Sequence, residues 1–347
     1  MTINRLDSLD EVSRTELSPN RLLSATHEEI LQGWTTDIYF LKTREVLRSA
    51  GRLETPVTAE IFAREDGIFV GLREALVVLD GTDVPLQVEA LPEGEPFSPK
   101  EVLLRIRGPY GAFGLFETVL LGMLASSAGW ATAARACAEA AGEKPVLCFG
   151  ARHVHPSVAP AMEYAAVQGG CAGASCILGA KLAGFEPKGT IPHAAILIMG
   201  DTLKLAEVYD RTLPAGEPRI VLVDTFKDEA EETLRVAEAL GDRLSGVRLD
   251  TPGERGGVTP DLVREIRWRL DGVGRRDVKI IVSGGLNPDR IRTLSAAGAD
   301  SFGVGSYIAH AAPRDMTMDL KEIDGVPRAK RGRLPGILPN PRLVRLR

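Results

Sequence analysis

Apolar positions change their spacing several times along the chain, and each change marks a change of element. The first ~25 residues are polar and predict a loose arm or a first helix. From Glu28 to Arg48, Ile30, Leu31, Trp34, Ile38, Leu41 and Val46 recur at near-helical intervals and predict helix. Short runs follow at Val57–Phe62, Gly67–Gly71, Ala75–Leu79, Pro85–Ala90 and Val102–Ile106, cut apart by Gly, Pro and Asp. Such runs predict strands of a small sheet. Residues 1–109 therefore predict a smaller α+β N-terminal domain that closes near Gly108-Pro109.

Beyond Tyr110 the text turns continuously apolar. A long helix is predicted from Leu115 to Ala141, stopped by Gly142 and by Pro145 soon after. Six short buried runs then appear: Val146–Phe149, Ala194–Met199, Ile220–Val223, Val247–Leu249, Ile280–Val282 and Ser301–Val304. Helix-like stretches such as Asp228–Leu240 and Pro260–Leu270 lie between them. This alternation predicts a parallel sheet with crossover helices. The absence of an obvious edge strand favours an irregular, TIM-like α/β barrel over residues 110–312. The tail, 313–347, is rich in Pro and Arg from Pro327 onward and is expected to pack on the small domain. Its basic run from Lys330 to Arg347 fits a solvated face better than a phosphate site.

Composition narrows the function. A net charge of -5 over 347 residues argues against nucleic-acid binding, which favours a basic excess. No apolar run reaches the ~18 residues that a membrane span needs. Met1 to Asn20 lacks the apolar core of a signal peptide. Four cysteines in a chain this long make no secreted disulfide framework, so a reduced, cytoplasmic protein is expected.

In a parallel barrel, chemistry collects where the strands end. Here the ends are polar or glycine-rich. Val146–Phe149 runs into Gly150-Ala151-Arg152-His153, Ile220–Val223 into Asp224-Thr225, and Val247–Leu249 carries Arg248 and runs into Asp250. Ile280–Val282 ends in Ser283-Gly284-Gly285, and the last strand carries Gly303 and ends in Gly305-Ser306. Side chains cannot block the backbone N–H groups of such glycines, and loops after the final two barrel strands commonly hold phosphate. Asp224 is equally suited to cap a helix near Lys227 or to hold ribose or Mg²⁺. Arg248 and Asp250 stand two residues apart on a strand and so share a face. His193 follows Gly189-Thr190-Ile191-Pro192 just before a buried run. A zinc site from His153, His155, Cys171 and Cys176 matches no standard spacing. The residues alone thus predict a barrel enzyme acting on an anionic, phosphorylated small molecule.

Several short motifs occur in a specific order. They are Thr36-Asp37-Ile38-Tyr39, Glu117-Thr118, Ser127-Ala128-Gly129-Trp130-Ala131-Thr132, Gly150-Ala151-Arg152-His153 and Gly189-Thr190-Ile191-Pro192-His193. Gly246-Val247-Arg248-Leu249-Asp250, Ser283-Gly284-Gly285 and Gly303-Val304-Gly305-Ser306 complete the set. From Thr36 to about Gly332 the chain resembles the type II phosphoribosyltransferases, the nicotinate enzymes more than the quinolinate ones. The resemblance implies that Tyr39 and Thr190 lie beside the pyridine ring while Arg248 holds its carboxylate. It implies Arg152 on the phosphoribosyl donor, Asp250 and Asp224 near its ribose, and Ser283, Gly284, Gly285, Gly303, Gly305 and Ser306 around its phosphate. His193 matches the histidine that nicotinate enzymes phosphorylate with ATP, which makes His193, Asp250 and Arg152 the catalytic candidates.

The implied ligands are nicotinate, phosphoribosyl pyrophosphate and ATP, with Mg²⁺ carried mainly by the substrate phosphates rather than by a protein metal site. A homodimer or higher homo-oligomer is also implied. Pro192 departs from many relatives; it removes an N–H and restricts Ile191, so this loop is expected to differ. The decarboxylating quinolinate enzyme and a catalytically inactive phosphosugar- or nucleotide-binding homologue are the rival expectations.

Overall fold

The protein is described by a computed structural model over residues 5–18, 21–214 and 216–347. Along the chain the strands are β1 (Pro56–Ala63), β2 (Gly67–Ile68), β3 (Gln87–Ala90), β4 (Pro96–Phe97), β5 (Val102–Pro109), β6 (Val146–Cys148) and β7 (Gly173–Ala174). They continue as β8 (Arg219–Leu222), β9 (Leu244–Leu249), β10 (Lys279–Ser283), β11 (Ser301–Val304), β12 (Met316–Ile323), β13 (Val326–Pro327) and β14 (Val344–Arg345). Two units result: Met1–Ala131 with Ala312–Arg347, and Thr132–Ala311.

The first unit is built on an antiparallel sheet of order β13-β12-β1-β5-β3-β14. Its inner face buries Ala59, Ile61, Val88, Leu104 and Ile106 against the helix Leu72–Asp80 and the start of the long helix Glu117–Ala141. The run Ala75–Leu79, expected as a strand, lies inside the helix Leu72–Asp80. The 3.6 period decides this segment: Leu72, Ala75, Val78 and Leu79 are buried along one face. The expected helix 28–48 is two helices, His27–Leu31 and Ile38–Ser49, separated by Gly33 at a positive φ of 84°. A Cβ there would also lie 2.8 Å from Leu115.

The tail is fastened to the first unit by charge. The Arg105 guanidinium donates to Glu60 at 2.8 Å, to Glu89 at 2.7 Å and to the Leu338 carbonyl at 2.6 Å, and the Leu338 N–H returns to Glu60 at 3.2 Å. Arg333 pairs with Asp319 at 3.0 Å, and Arg342 reaches Glu95 and Glu101. These tail cations are therefore occupied within the first unit.

The helix Glu117–Ala141 is apolar and long enough to cross a membrane by length and composition. Its residues Val119, Leu120, Leu124 and Ala128 lie in the first unit's core, as expected of a core helix. Its first residue, Glu117, carries a carboxyl that burial perturbs. Burial pushes the Glu117 carboxyl up to about 7, with Asp319 adding to the shift and Lys330 opposing it. The folded protein thus keeps a proton that the unfolded chain releases near pH ~4.3. The stabilising contribution is complete below that pH and is lost as pH rises through 7. Glu117→Gln, which mimics the protonated acid, is expected to raise the melting temperature at pH 8 and to leave it nearly unchanged at pH 4. Equal shifts at both pH values in thermal unfolding would contradict this assignment.

The second unit is a curled parallel sheet of order β7-β6-β11-β10-β9-β8, with crossover helices such as Glu229–Leu240, Pro260–Gly272 and Pro288–Ala297. Val247, Leu249, Ile280, Val282, Phe302 and Val304 are buried along its strands. This is an irregular α/β barrel whose hydrogen bonding stops at β7 and β8. The run Ala194–Met199, expected as a strand, is the helix His193–Met199. Pro192 occupies its N-cap, where a missing N–H costs little, and Gly200 ends it in the left-handed region at φ 71°. Leu197, Ile198 and Met199 are exposed and only Ile196 is buried, so most of this apolar run lies outside the core.

Candidate functional site

The second unit brings most of the sequence-predicted residues to one end of its sheet. Arg248, near the end of β9, is held at three points. Its Nε donates to Ser283 Oγ at 2.9 Å, Nη1 to Thr190 Oγ1 at 2.8 Å and Nη2 to Asp250 Oδ2 at 3.3 Å. These take three of the five guanidinium N–H groups and leave one on each terminal nitrogen. Burial pulls the Arg248 pKa down, Asp250 and Asp224 oppose this, and the Arg152 charge adds to the lowering.

Asp250 is fixed in turn. Its Oδ1 accepts from Ser283 Oγ at 2.8 Å, and its N–H donates to Asp224 Oδ2 at 3.0 Å. The other Asp224 oxygen lies 3.0 Å from His193 Nε2. The Asp224 side chain is fully buried, and burial pushes its carboxyl up while His193 pulls it back. Asp224 does not cap the next helix. Asp228 does, accepting from the N–H groups of Ala230 and Glu231. His193, at the start of its helix, is partly exposed. With Nε2 engaged by a carboxylate, the other ring nitrogen, Nδ1, is the one left to act as a nucleophile. Beside Asp224, the Thr225 hydroxyl oxygen is buried and has no hydrogen-bond partner among the described residues.

The two glycine motifs serve different needs. Gly284 and Gly285 have positive φ values, 91° and 59°, and a Cβ on Gly284 would stand 3.1 Å from Asp250 Oδ1. This turn therefore demands glycine on backbone grounds. The helix that follows begins at Pro288 and is capped by Asn287, so its first N–H groups are partly used within the chain. Gly303 and Gly305 instead make room. A Cβ on Gly303 would lie 2.3 Å from the Phe149 ring, and one on Gly305 2.9 Å from His153 Nε2. Ser306 opens the short helix Ser306–Ala309.

Phe149 was not singled out from the sequence, and His153 only as a motif residue and a rejected zinc ligand; both belong to this end. Arg248 lies over the Phe149 ring at 5.3 Å, a cation–π contact that fixes the guanidinium plane. The ring offers a flat apolar face beside the Arg248 guanidinium. The available signal was position alone, since Phe149 ends a strand next to Gly150-Ala151-Arg152. His153 packs edge-on against His310, with centroids 5.6 Å apart. Burial lowers its pKa, with Arg152 and His310 adding to the effect. Arg152 itself is exposed on the turn Ala151–His153 and makes no ion pair among the described residues.

Tyr39 belongs to the first unit, where it is exposed at the start of the helix Ile38–Ser49. Two sequence motifs meet there. Thr118 Oγ1 donates to Asp37 at 3.0 Å and accepts the Asp37 N–H at 3.1 Å, while Thr36 donates to the Leu115 carbonyl at 2.6 Å. Among the described residues no three His, Cys, Asp or Glu side chains gather as a metal cage.

Known proteins resemble this chain in sequence and in fold. The family model described as quinolinate phosphoribosyl transferase, N-terminal domain, matches residues 37–128, and its C-terminal domain model matches 130–319. A crystal structure of nicotinate-nucleotide pyrophosphorylase from Pyrococcus furiosus is 43% identical, covering 92% of this chain and 82% of that one, with a TM-score of 0.86. A nicotinate phosphoribosyltransferase of Mycobacterium tuberculosis is 29% identical over 86% of this chain and 74% of its own length. A probable nicotinate-nucleotide pyrophosphorylase (carboxylating) of Archaeoglobus fulgidus is 22% identical over 74% of this chain and 91% of its own. The two family models together match residues 37–128 and 130–319, and the chain belongs to the quinolinate phosphoribosyl transferase family.

Proposed function

We propose that this protein transfers the phosphoribosyl group of phosphoribosyl pyrophosphate to nicotinate, releasing pyrophosphate, in NAD biosynthesis. The observation that carries this reading is the Arg248 fork, anchored by Ser283, Thr190 and Asp250 and laid over Phe149. It offers one planar, charge-assisted seat for one carboxylate beside a flat ring. The ring nitrogen then attacks the anomeric carbon as pyrophosphate leaves. Asp250 would face the positive charge that develops on the ribose, and Arg152 the donor phosphates. The Ser283-Gly284-Gly285 turn, with Gly303, Gly305 and Ser306 alongside, would face the 5-phosphate.

Both rim carboxylates are already hydrogen-bonded, which suits Mg²⁺ arriving on the donor phosphates with Asp250 sharing it. Mg²⁺ typically takes one or two carboxylates plus substrate phosphates. When bound, it would supply positive charge to the leaving group. In this reading ATP phosphorylates His193 at Nδ1 while Asp224 holds Nε2.

A second reading, transfer to quinolinate with loss of carbon dioxide, is favoured equally by the family. Arg152, whose charge is felt by Arg248, is the cation that could meet a second carboxylate. The two readings separate on acceptor preference. We expect kcat/KM for nicotinate to exceed that for quinolinate at least tenfold, with no carbon dioxide formed. Carbon dioxide released in step with product from quinolinate establishes the second reading instead.

A further inference from the structure

Glu163 lies in the middle of the helix Ala159–Gly169 and is fully buried, yet no cation among the described residues touches it. Its Oε1 accepts the Ala151 N–H at 3.1 Å and the Ser175 hydroxyl at 3.0 Å, and its Oε2 accepts the Cys176 N–H at 2.5 Å. Those donors come from two loops. Ala151 opens the turn that carries Arg152 after β6, and Ser175 and Cys176 follow β7. The stem of Glu163 is itself confined, because Gly179 of the neighbouring helix Ile177–Leu182 would place a Cβ 3.1 Å from the Glu163 Cβ. A buried carboxylate is costly unless it is fully hydrogen-bonded, so one bound only by loop donors points to a demand for fixed loop geometry.

We propose that Glu163 is a positioning residue that ties the Arg152 turn to the end of β7 and so sets the Arg152 guanidinium for the phosphates of the donor. This rests on the reading of Arg152 as a donor-binding group. The exposed Arg152 has no ion pair among the described residues to hold its place, and its backbone is anchored one residue away through Ala151. All the hydrogen bonds at the carboxylate arrive from donors, so glutamine cannot replace it. Whichever way the amide turns, its NH₂ faces a backbone N–H. The loop then shifts, and misplacement by about 1 Å is enough to cost on the order of 10²-fold in a positioned contact.

The test is steady-state kinetics of Glu163→Gln, with phosphoribosyl pyrophosphate and nicotinate varied separately, alongside thermal unfolding. The KM for the donor is expected to rise roughly 10- to 100-fold while KM for nicotinate and kcat stay within about threefold. Combining it with Arg152→Ala is expected to add little beyond Arg152→Ala alone. A role in folding only would lower the melting temperature and leave the donor KM of the folded protein unchanged, which overturns the proposal while leaving the transfer reaction intact. Should Glu163→Gln not fold, Ser175→Ala removes one donor and keeps the carboxylate. It should raise donor KM by a smaller factor, and an unchanged value is equally negative. Wild-type protein that neither binds nor consumes phosphoribosyl pyrophosphate overturns the functional reading itself, and this inference with it.

Discussion

Replacing Arg248 by Lys is expected to lower kcat/KM for nicotinate by about a thousandfold, at saturating donor. Two charge-assisted hydrogen bonds to the acceptor carboxylate are at stake, each worth about 1.5–3 kcal/mol. Lysine keeps the charge but not the fork, and a flexible ammonium cannot hold Ser283, Thr190 and Asp250 while presenting two further N–H groups in a plane. It also gives up the broad contact of the guanidinium with the Phe149 ring. The same loss should appear in the wild-type enzyme when nicotinamide, which lacks the carboxylate, replaces nicotinate. In Arg248→Lys the preference between the two acceptors should nearly vanish. Competition assays with both acceptors measure this, and a variant that still prefers nicotinate strongly would place the carboxylate elsewhere.

The second large effect concerns ATP. His193→Ala is expected to abolish stimulation by ATP and formation of an acid-labile phosphoprotein, while ATP-independent transfer stays within a few-fold of wild type. Asp224→Asn should reduce phosphoprotein formation by on the order of 10²-fold or more, because the amide no longer selects the tautomer that frees Nδ1. The dependence on Asp224 follows from the 3.0 Å contact between His193 Nε2 and its carboxylate. Radiolabelled ATP followed by acid and base quenching separates a phosphohistidine from other phosphoproteins. Undiminished stimulation in His193→Ala would remove the histidine from the reaction.

How far the sequence could be read depended on whether a feature was local. Periodicity located β6 and β8 to β11 because parallel strands buried on both faces are short, continuous apolar runs. The same rule failed at Ala194–Met199, where an apolar run is a helix between Pro192 and Gly200 with much of its surface exposed. It failed again at Ala75–Leu79, too short a window to separate a period of two from 3.6. Arg248 and Asp250 were recognisable as partners because two residues on a strand share a face. His193 and Asp224 were each visible, but nothing in the text joins residues 31 positions apart. Phe149 and Glu163 could not be found that way. One is an ordinary strand residue until Gly303 and Arg248 come against it, and the other is an acid on a helix until three donors surround it. The glycines show the same limit, since Gly284 and Gly303 look alike in sequence yet one is required by its φ and the other by a neighbouring ring.

The central claim is most directly tested by incubating the protein with phosphoribosyl pyrophosphate, Mg²⁺ and nicotinate and quantifying nicotinate mononucleotide and pyrophosphate together. The account predicts equal amounts of both, dependent on nicotinate and lost in Arg248→Ala. Pyrophosphate without the nucleotide, or product from quinolinate alone, would contradict it.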